Sequence, residues 1–235
     1  MNLPLNSLAD TTDATEHARY NMIEQQIRPW DVHDAGVLES LAVVRREDFV
    51  PPAHYSQAFM DIEIPLTDAP DALERGQCML APKIDARMLN DLQVQPHESA
   101  LEIGTGSGYF AALLSRHARQ VLSLEIHPEL AEMARENLEG AGVRNVTVRL
   151  ADGASDPLPE GPFDVIVLSG SVEVLPQELL HKLADGGRLA AIVGRAPMMR
   201  YTIVQRAGQQ FTTTQPWDTV AARLEGFATA PRFVF

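Results

Sequence analysis

From residue 82 onward, apolar runs of strand length alternate with helical stretches, and this alternation constrains the chain more than any other feature. The expected order is helix 82–92, strand 99–103, helix 108–116, strand 120–124, helix 128–141, strand 146–150, strand 163–168, helix 176–183 and strand 187–193. Parallel strands need a long crossover, usually a helix, so repeated units of this kind wind into a parallel sheet with helices on both faces. Beyond residue 200 the signal changes: 201–205 and 210–214 alternate around Ala207-Gly208, as the arms of a hairpin do. The fold class is therefore α/β, a doubly wound and mostly parallel Rossmann-like sheet with an N-terminal helical cap and a C-terminal antiparallel hairpin.

Three regions are expected. Residues 1–12 carry Asn, Ser, Thr and Asp without periodicity and read as a flexible tail. Residues 13–81 form the helical cap and a loop, and residues 82–235 the sheet domain. In the cap, Tyr20, Ile23 and Ile27 share one helical stripe that Pro29 ends, and a second helix over 34–44 buries Val37, Leu38, Leu41 and Val44. Segment 61–76, acidic and broken by Pro65, Pro70 and Gly76, reads as a surface loop or short ribbon.

Charge and composition exclude several classes of function. Lys plus Arg number 19 against 32 Asp plus Glu, a formal net charge of −13 with no concentrated basic patch, so nucleic acid is not an expected partner. One cysteine, Cys78, leaves no intrachain disulfide and no thiolate-rich zinc site. The seven histidines have no ligand spacing, and no metal is expected. No apolar run approaches the roughly 20 residues that span a bilayer, so no membrane partner is expected and the location reads as cytoplasmic.

The strongest chemical signal is EIGTGSG at 102–108, directly after one strand and opening the next helix. Glycines there let the backbone turn sharply and approach a nucleotide-bearing ligand closely. Tyr109 stands where the last glycine of a G-x-G-x-x-G dinucleotide fingerprint would fall, so that fingerprint is not met. Glu125, at the end of the next strand and followed by Ile126, puts a carboxylate at the sheet edge, where it can accept from ribose hydroxyls. Asp152-Gly153 after the third strand offers a second carboxylate, toward an adenine amino group.

The acidic-x-G-x-G-x-G loop resembles that of class I methyltransferases. Joined to MIEQQIR at 22–28, VLESL at 37–41 and VRREDFVP at 44–51, it makes residues 18–235 resemble the protein-L-isoaspartate (D-aspartate) O-methyltransferase family. The resemblance implies S-adenosyl-L-methionine as cofactor, S-adenosyl-L-homocysteine as product, and a carboxylate of a protein or peptide as acceptor. It implies cofactor contacts from Glu102, Gly104, Thr105, Gly106, Ser107, Gly108, Tyr109, Glu125, Ile126, Asp152, Gly153 and Met79, and acceptor-site positions at Leu80, Ser169 and Ser171.

One stretch departs from the family pattern. Where relatives read G-[QA]-T-I-S-x-P, this chain has GQCMLAP at 76–82, with Cys78 for the threonine and Leu80 for the serine. Leucine offers no donor, and a charge-assisted hydrogen bond to a carboxylate is worth about 1.5 to 3 kcal/mol. Backbone amides at 79–81 and the hydroxyls of Ser169 or Ser171 are the expected replacements. Two other readings stay open at this point: a methyltransferase whose acceptor is a small molecule or a particular protein side chain, with Cys78, Met79 and Leu80 lining an apolar pocket, or a cofactor-binding protein without turnover that acts through a partner, using Met198-Met199 and the tail 227–235. The acceptor and the oligomeric state are left open by the residues.

Overall fold

A computed structural model of the chain describes residues 8, 12–155 and 161–230. Most of the expected tail 1–12, and residues 231–235 of the apolar C-terminal stretch, lie outside the described residues. The first helix, α1 (Ala14–Asn21), starts at Asp13, whose carboxylate accepts from the amides of Thr15 and Glu16 at 2.8 and 3.1 Å. It runs on through a π-helical turn, Met22–Ile27, and a 3-10 turn, Arg28–Trp30. Pro29 thus does not end the helical path as expected; it occupies the first turn of a new helical segment, where its missing N–H leaves no bond unmade. The wide turn keeps Met22, Ile23 and Ile27 fully buried.

Helix α2 (Ala35–Val43) is capped by Asp34, which accepts from the Val37 amide at 2.9 Å. Two 3-10 turns, Arg46–Phe49 and Pro52–Gln57, lead to an antiparallel ribbon of β1 (Ile64–Pro65) and β2 (Cys78–Met79). The segment between the two strands is more than surface loop, because Leu66 and Ala72 are buried.

The main domain follows the expected alternation: α3 (Pro82–Leu92), β3 (Ser99–Ile103), α4 (Tyr109–Ser115), β4 (Gln120–Glu125), α5 (Pro128–Gly140), β5 (Val146–Leu150), β6 (Phe163–Val172), α6 (Gln177–Leu180), β7 (Leu183–Arg195), β8 (Met198–Ala207) and β9 (Gln210–Asp218). Helix α6 is shorter than the expected 176–183, because Leu183 already pairs with Phe163 and so begins β7. The hairpin turn falls at residues 208–209, one position later than expected, since Ala207 pairs with Gln210.

The seven strands lie in the order β5-β4-β3-β6-β7-β8-β9, parallel through β7 and antiparallel from β7 to β9. The chain moves outward from β3 through β4 to β5, then crosses back to β6 on the other side of β3. That reversal leaves a crevice beyond the carboxyl ends of β3 and β6, where open α/β sheets bind their ligands. Every residue of β3 is buried, including Ser99 and Glu102. Among the described residues, no helix is long and apolar enough to cross a membrane.

The cap is tied to this domain by Arg46, which is fully buried. Its guanidinium donates to the carbonyls of Ala58 and Leu80 at 3.0 and 2.8 Å, pairs with Asp85 at 3.3 Å, and lies 5.0 Å from the centre of the Tyr109 ring. Breaking a buried pair from one side costs about 3 to 5 kcal/mol, because desolvated groups lose their partner. Arg46→Ala should lower unfolding stability by about that amount in urea titrations, whereas a loss within 0.5 kcal/mol, as at a surface site, would show that the cap is held by other contacts.

Candidate functional site

The glycine loop leaves β3 and turns under the end of β4. The amides of Gly104 and Thr105 both donate to the Leu124 carbonyl, at 2.9 and 3.2 Å. Gly104 has φ +94°, a conformation that side chains rarely adopt, and a Cβ there would come within 2.7 Å of Leu224 Cδ2. The loop is fixed from the next strand by Glu125, buried to 4% exposure. One carboxylate oxygen accepts from the Gly106 amide at 2.8 Å and the other from the His127 amide at 3.0 Å. From α5, Asn137 donates to the Ser107 carbonyl at 2.9 Å.

Beyond this loop lies a cavity open to solvent on one side. Gly104 and Gly106 form one wall, Glu125 and Ile126 arrive from β4, and Asp152 and Gly153 from the end of β5. The Asp152 carboxylate is oriented by the Ala154 amide at 2.9 Å and the Ser155 hydroxyl at 2.6 Å. These six residues were expected to meet, and the fold brings them together. Arg75, Gly76, Arg223, Leu224 and Phe227 also line the cavity, and nothing in the sequence reading pointed to them as site residues.

Leu224 packs against the glycine loop and Gly170, and so covers the cavity as a strap. The strap is anchored at Ser171: its amide donates to the Ala222 carbonyl at 2.8 Å, and its carbonyl accepts from the Leu224 amide at 2.9 Å. Phe227, expected to serve as core, edge strand or partner surface, is buried and lines the cavity. No amphipathic period marks this segment, which left it unread.

A second, smaller chamber shares Cys78, Gly104, Gly106 and Ser169 with the first. Met79, Leu80, Glu102, Thr105, Ser107 and Tyr109 line this chamber and not the larger one. Glu102 is fully buried and accepts from the hydroxyls of Ser123 and Ser169 at 2.6 and 2.7 Å. Burial outweighs these bonds and pushes its carboxyl up to about 8. Burial likewise raises Asp85 to about 7, although Arg46 stands beside it, and raises the Cys78 thiol to about 12. Cys78 is accordingly a neutral thiol at physiological pH and a poor nucleophile.

Two expectations are corrected. Ser171 does not reach an acceptor, because its hydroxyl donates to the Ala221 carbonyl at 2.8 Å and it lines neither chamber. Tyr109 lines the smaller chamber, where it is buried edge-on to Phe49, with ring centres 5.5 Å apart, and joins the cap to α4. Gly108 lines neither chamber and instead precedes α4 with φ +85°. Among the described residues there is no cluster of His, Cys, Asp and Glu that could hold a metal ion.

Comparison with known proteins adds a family. Residues 17–220 match the family described as protein-L-isoaspartate(D-aspartate) O-methyltransferase. A protein-L-isoaspartate O-methyltransferase of Koribacter versatilis is 36% identical over 210 residues, covering 88% of this chain and 91% of the relative. Protein-L-isoaspartate O-methyltransferase 1 of Syntrophobacter fumaroxidans is 41% identical over 179 residues, covering 76% and 80%. A Plasmodium falciparum protein described under the same activity, crystallised with S-adenosyl-L-homocysteine, superposes with a TM-score of 0.73 over 87% of this chain and 97% of its own. Its identity is 18%, so that likeness bears on the fold alone.

The buried acids give the site a pH signature. Glu102 and Asp85 have folded values of about 8 and about 7 against ordinary values of 4.5 and 3.8, so between these limits the folded state holds more protons than the unfolded one. Stability then falls as pH rises through this window and levels off above it. In ligand-free protein the thermal midpoint should decline from about pH 5 to 8, and Glu102→Gln should flatten the upper part of the decline. A parental midpoint that is level or rising over that range would contradict the assignment.

Proposed function

The chain belongs to the protein-L-isoaspartate(D-aspartate) O-methyltransferase family, and on that premise we propose how its residues move the methyl group of S-adenosyl-L-methionine onto the free carboxylate of an isoaspartyl residue in a protein or peptide. The observation that carries the reading is the glycine-walled cavity with Glu125 and Asp152 on its far side. Its lining of bare glycine backbone, carboxylates and apolar side chains suits an adenosyl group, and a side chain at Gly104 would intrude on its wall and roof. Each Glu125 oxygen accepts one backbone amide and keeps a further lone pair for a ribose hydroxyl. Asp152 is the acceptor for an adenine amino group, and Ile126, Leu224 and Phe227 supply the apolar walls for the ring.

The smaller chamber suits the amino-acid end of the cofactor. Glu102 and Ser169 face it, and Ser169 belongs to both chambers. A cationic ligand there would be stabilised by the Glu102 carboxylate in its ionised form.

When bound, the cofactor supplies an electrophilic methyl group on a sulfonium. The acceptor carboxylate has a reference pKa near 4 and is ionised at neutral pH, so no general base has to remove a proton. Transfer to it would break the carbon–sulfur bond as the carbon–oxygen bond formed, leaving the bonding pair on sulfur and giving a neutral thioether and ester. The protein contributes alignment and exclusion of water. The buried loop, the strap residue Leu224 and the apolar side chains of Met79 and Leu80 do both. Positioning of this kind can supply on the order of 7 to 11 kcal/mol.

The direct test supplies methyl-labelled cofactor with an isoaspartyl peptide and with its ordinary aspartyl isomer. The isoaspartyl peptide should gain a base-labile methyl ester, with one S-adenosyl-L-homocysteine released per ester, and the isomer should not. No turnover over a panel of isoaspartyl peptides, by protein that still binds S-adenosyl-L-homocysteine, would overturn the acceptor. Glu125→Ala should weaken binding of that product about tenfold or more, as expected for loss of bonds to a charged acceptor.

A further inference from the structure

A carboxylate acceptor approaches this site against an unfavourable charge. The chain carries −13 overall, and Glu125, Asp152 and Glu225 stand on the walls of the larger chamber. The hydroxyls that might have received the acceptor are committed: Ser169 donates to Glu102 and Ser171 to Ala221. Leu80 and Met79 have no donor to offer, and Cys78 has only a weak one.

The arginines on the cavity wall are Arg75 and Arg223. The backbone puts them on one rim. Gly76, at φ +74°, packs so closely on the Arg223 carbonyl that a Cβ would stand 2.4 Å from that oxygen, and Arg75 immediately precedes it. The bonding capacity of Arg223 is only partly used. Its Nη2 donates to the Phe227 carbonyl at 2.8 Å, and its Nη1 stands 3.3 Å from Glu173. That carboxylate is held more closely by Arg195, at 2.5 Å, and also accepts from the Ala230 amide at 2.9 Å. The Nε of Arg223 is buried and has no hydrogen-bond partner among the described residues. Arg75 is exposed and makes no ion pair among the described residues.

We infer that Arg75 and Arg223, on the wall of the larger cavity rather than beside Leu80, form the carboxylate-binding element of the acceptor site. The inference rests on the functional reading above. A guanidinium presents its donors in a planar fork that matches a carboxylate, and an orphaned buried donor gains most from an anionic partner. These are binding residues: they hold the acceptor by its charge and leave the methyl transfer itself to alignment.

The test compares Arg75→Gln, Arg223→Gln and the double variant with the parent, at saturating cofactor, on an isoaspartyl peptide. Each single variant should raise KM for the peptide about tenfold or more, as expected for loss of a charge-assisted bond. The turnover number should stay within about threefold of the parent, the pattern of lost uniform binding; because both arginines also line the cavity assigned to the adenosyl group, affinity for S-adenosyl-L-homocysteine is measured beside it and should fall less than affinity for the peptide. Arg223→Lys should recover part of the loss, keeping the charge without the fork. A peptide with an amide in place of the acceptor carboxylate adds a second readout: the parent should prefer the acid, and the double variant should bind both alike. Parental KM in Arg75→Gln and Arg223→Gln overturns the inference and leaves the functional reading standing. If Arg223→Gln also loses cofactor-product binding, Arg75→Gln decides, because its exposed side chain holds no other element. A parent that binds the product but methylates no isoaspartyl peptide overturns the functional reading, and this inference falls with it.

Discussion

The hydrogen bond from the Gly106 amide to Glu125 is the contact on which the rest of the site depends. It joins the loop after β3 to the end of β4, and the second Glu125 oxygen joins both to the start of α5 through His127. With the loop fixed in that way, Gly104 can present a bare backbone to the cavity on one side and to Leu224 on the other. A more mobile loop would give neither a floor for a ligand nor a seat for the strap. One carboxylate therefore serves twice, shaping the unliganded loop and offering its remaining lone pairs to a ligand.

The strap gives a physical account of the two serines expected at the acceptor site. Ser171 is spent as the anchor of residues 221–224, through its amide, carbonyl and hydroxyl, and so serves the roof rather than an acceptor. The neighbouring Ser169 bonds to Glu102 and stands where the two chambers meet. With both hydroxyls engaged and Leu80 apolar, recognition of an anionic acceptor shifts to the rim, where Arg75 and Arg223 stand. The cap contributes from behind: Arg46 holds the Leu80 carbonyl and lies against Tyr109, so the wall of the smaller chamber is set by residues far earlier in the chain.

Much of this architecture was legible in the sequence. The strands 99–103 and 146–150 and the helix 82–92 fall where expected, because short runs of strand-forming residues and the stripe of an amphipathic helix are both local features of the sequence. Gly104, Gly106, Glu125, Ile126, Asp152 and Gly153 could be read as one site for a related reason: in a doubly wound sheet, strand ends converge on one edge. The failures share the opposite property. The strap 221–227, the π-helical turn at Met22–Ile27 and the buried Leu66 and Ala72 depend on long-range packing that leaves no period.

The central claim is that the bare backbone at Gly104 holds an adenosyl ligand, and calorimetric titration with S-adenosyl-L-homocysteine tests it most directly. The account predicts one site per chain in the parent and a loss of affinity of roughly a hundredfold or more in Gly104→Val, from backbone strain and displacement of Leu224 together. Gly142→Ala is the control, since Gly142 also has positive φ but nothing lies within 4 Å of a Cβ there; it should bind as the parent does. Equal heats from Gly104→Val and the parent, or none from well-folded parent, would contradict the account.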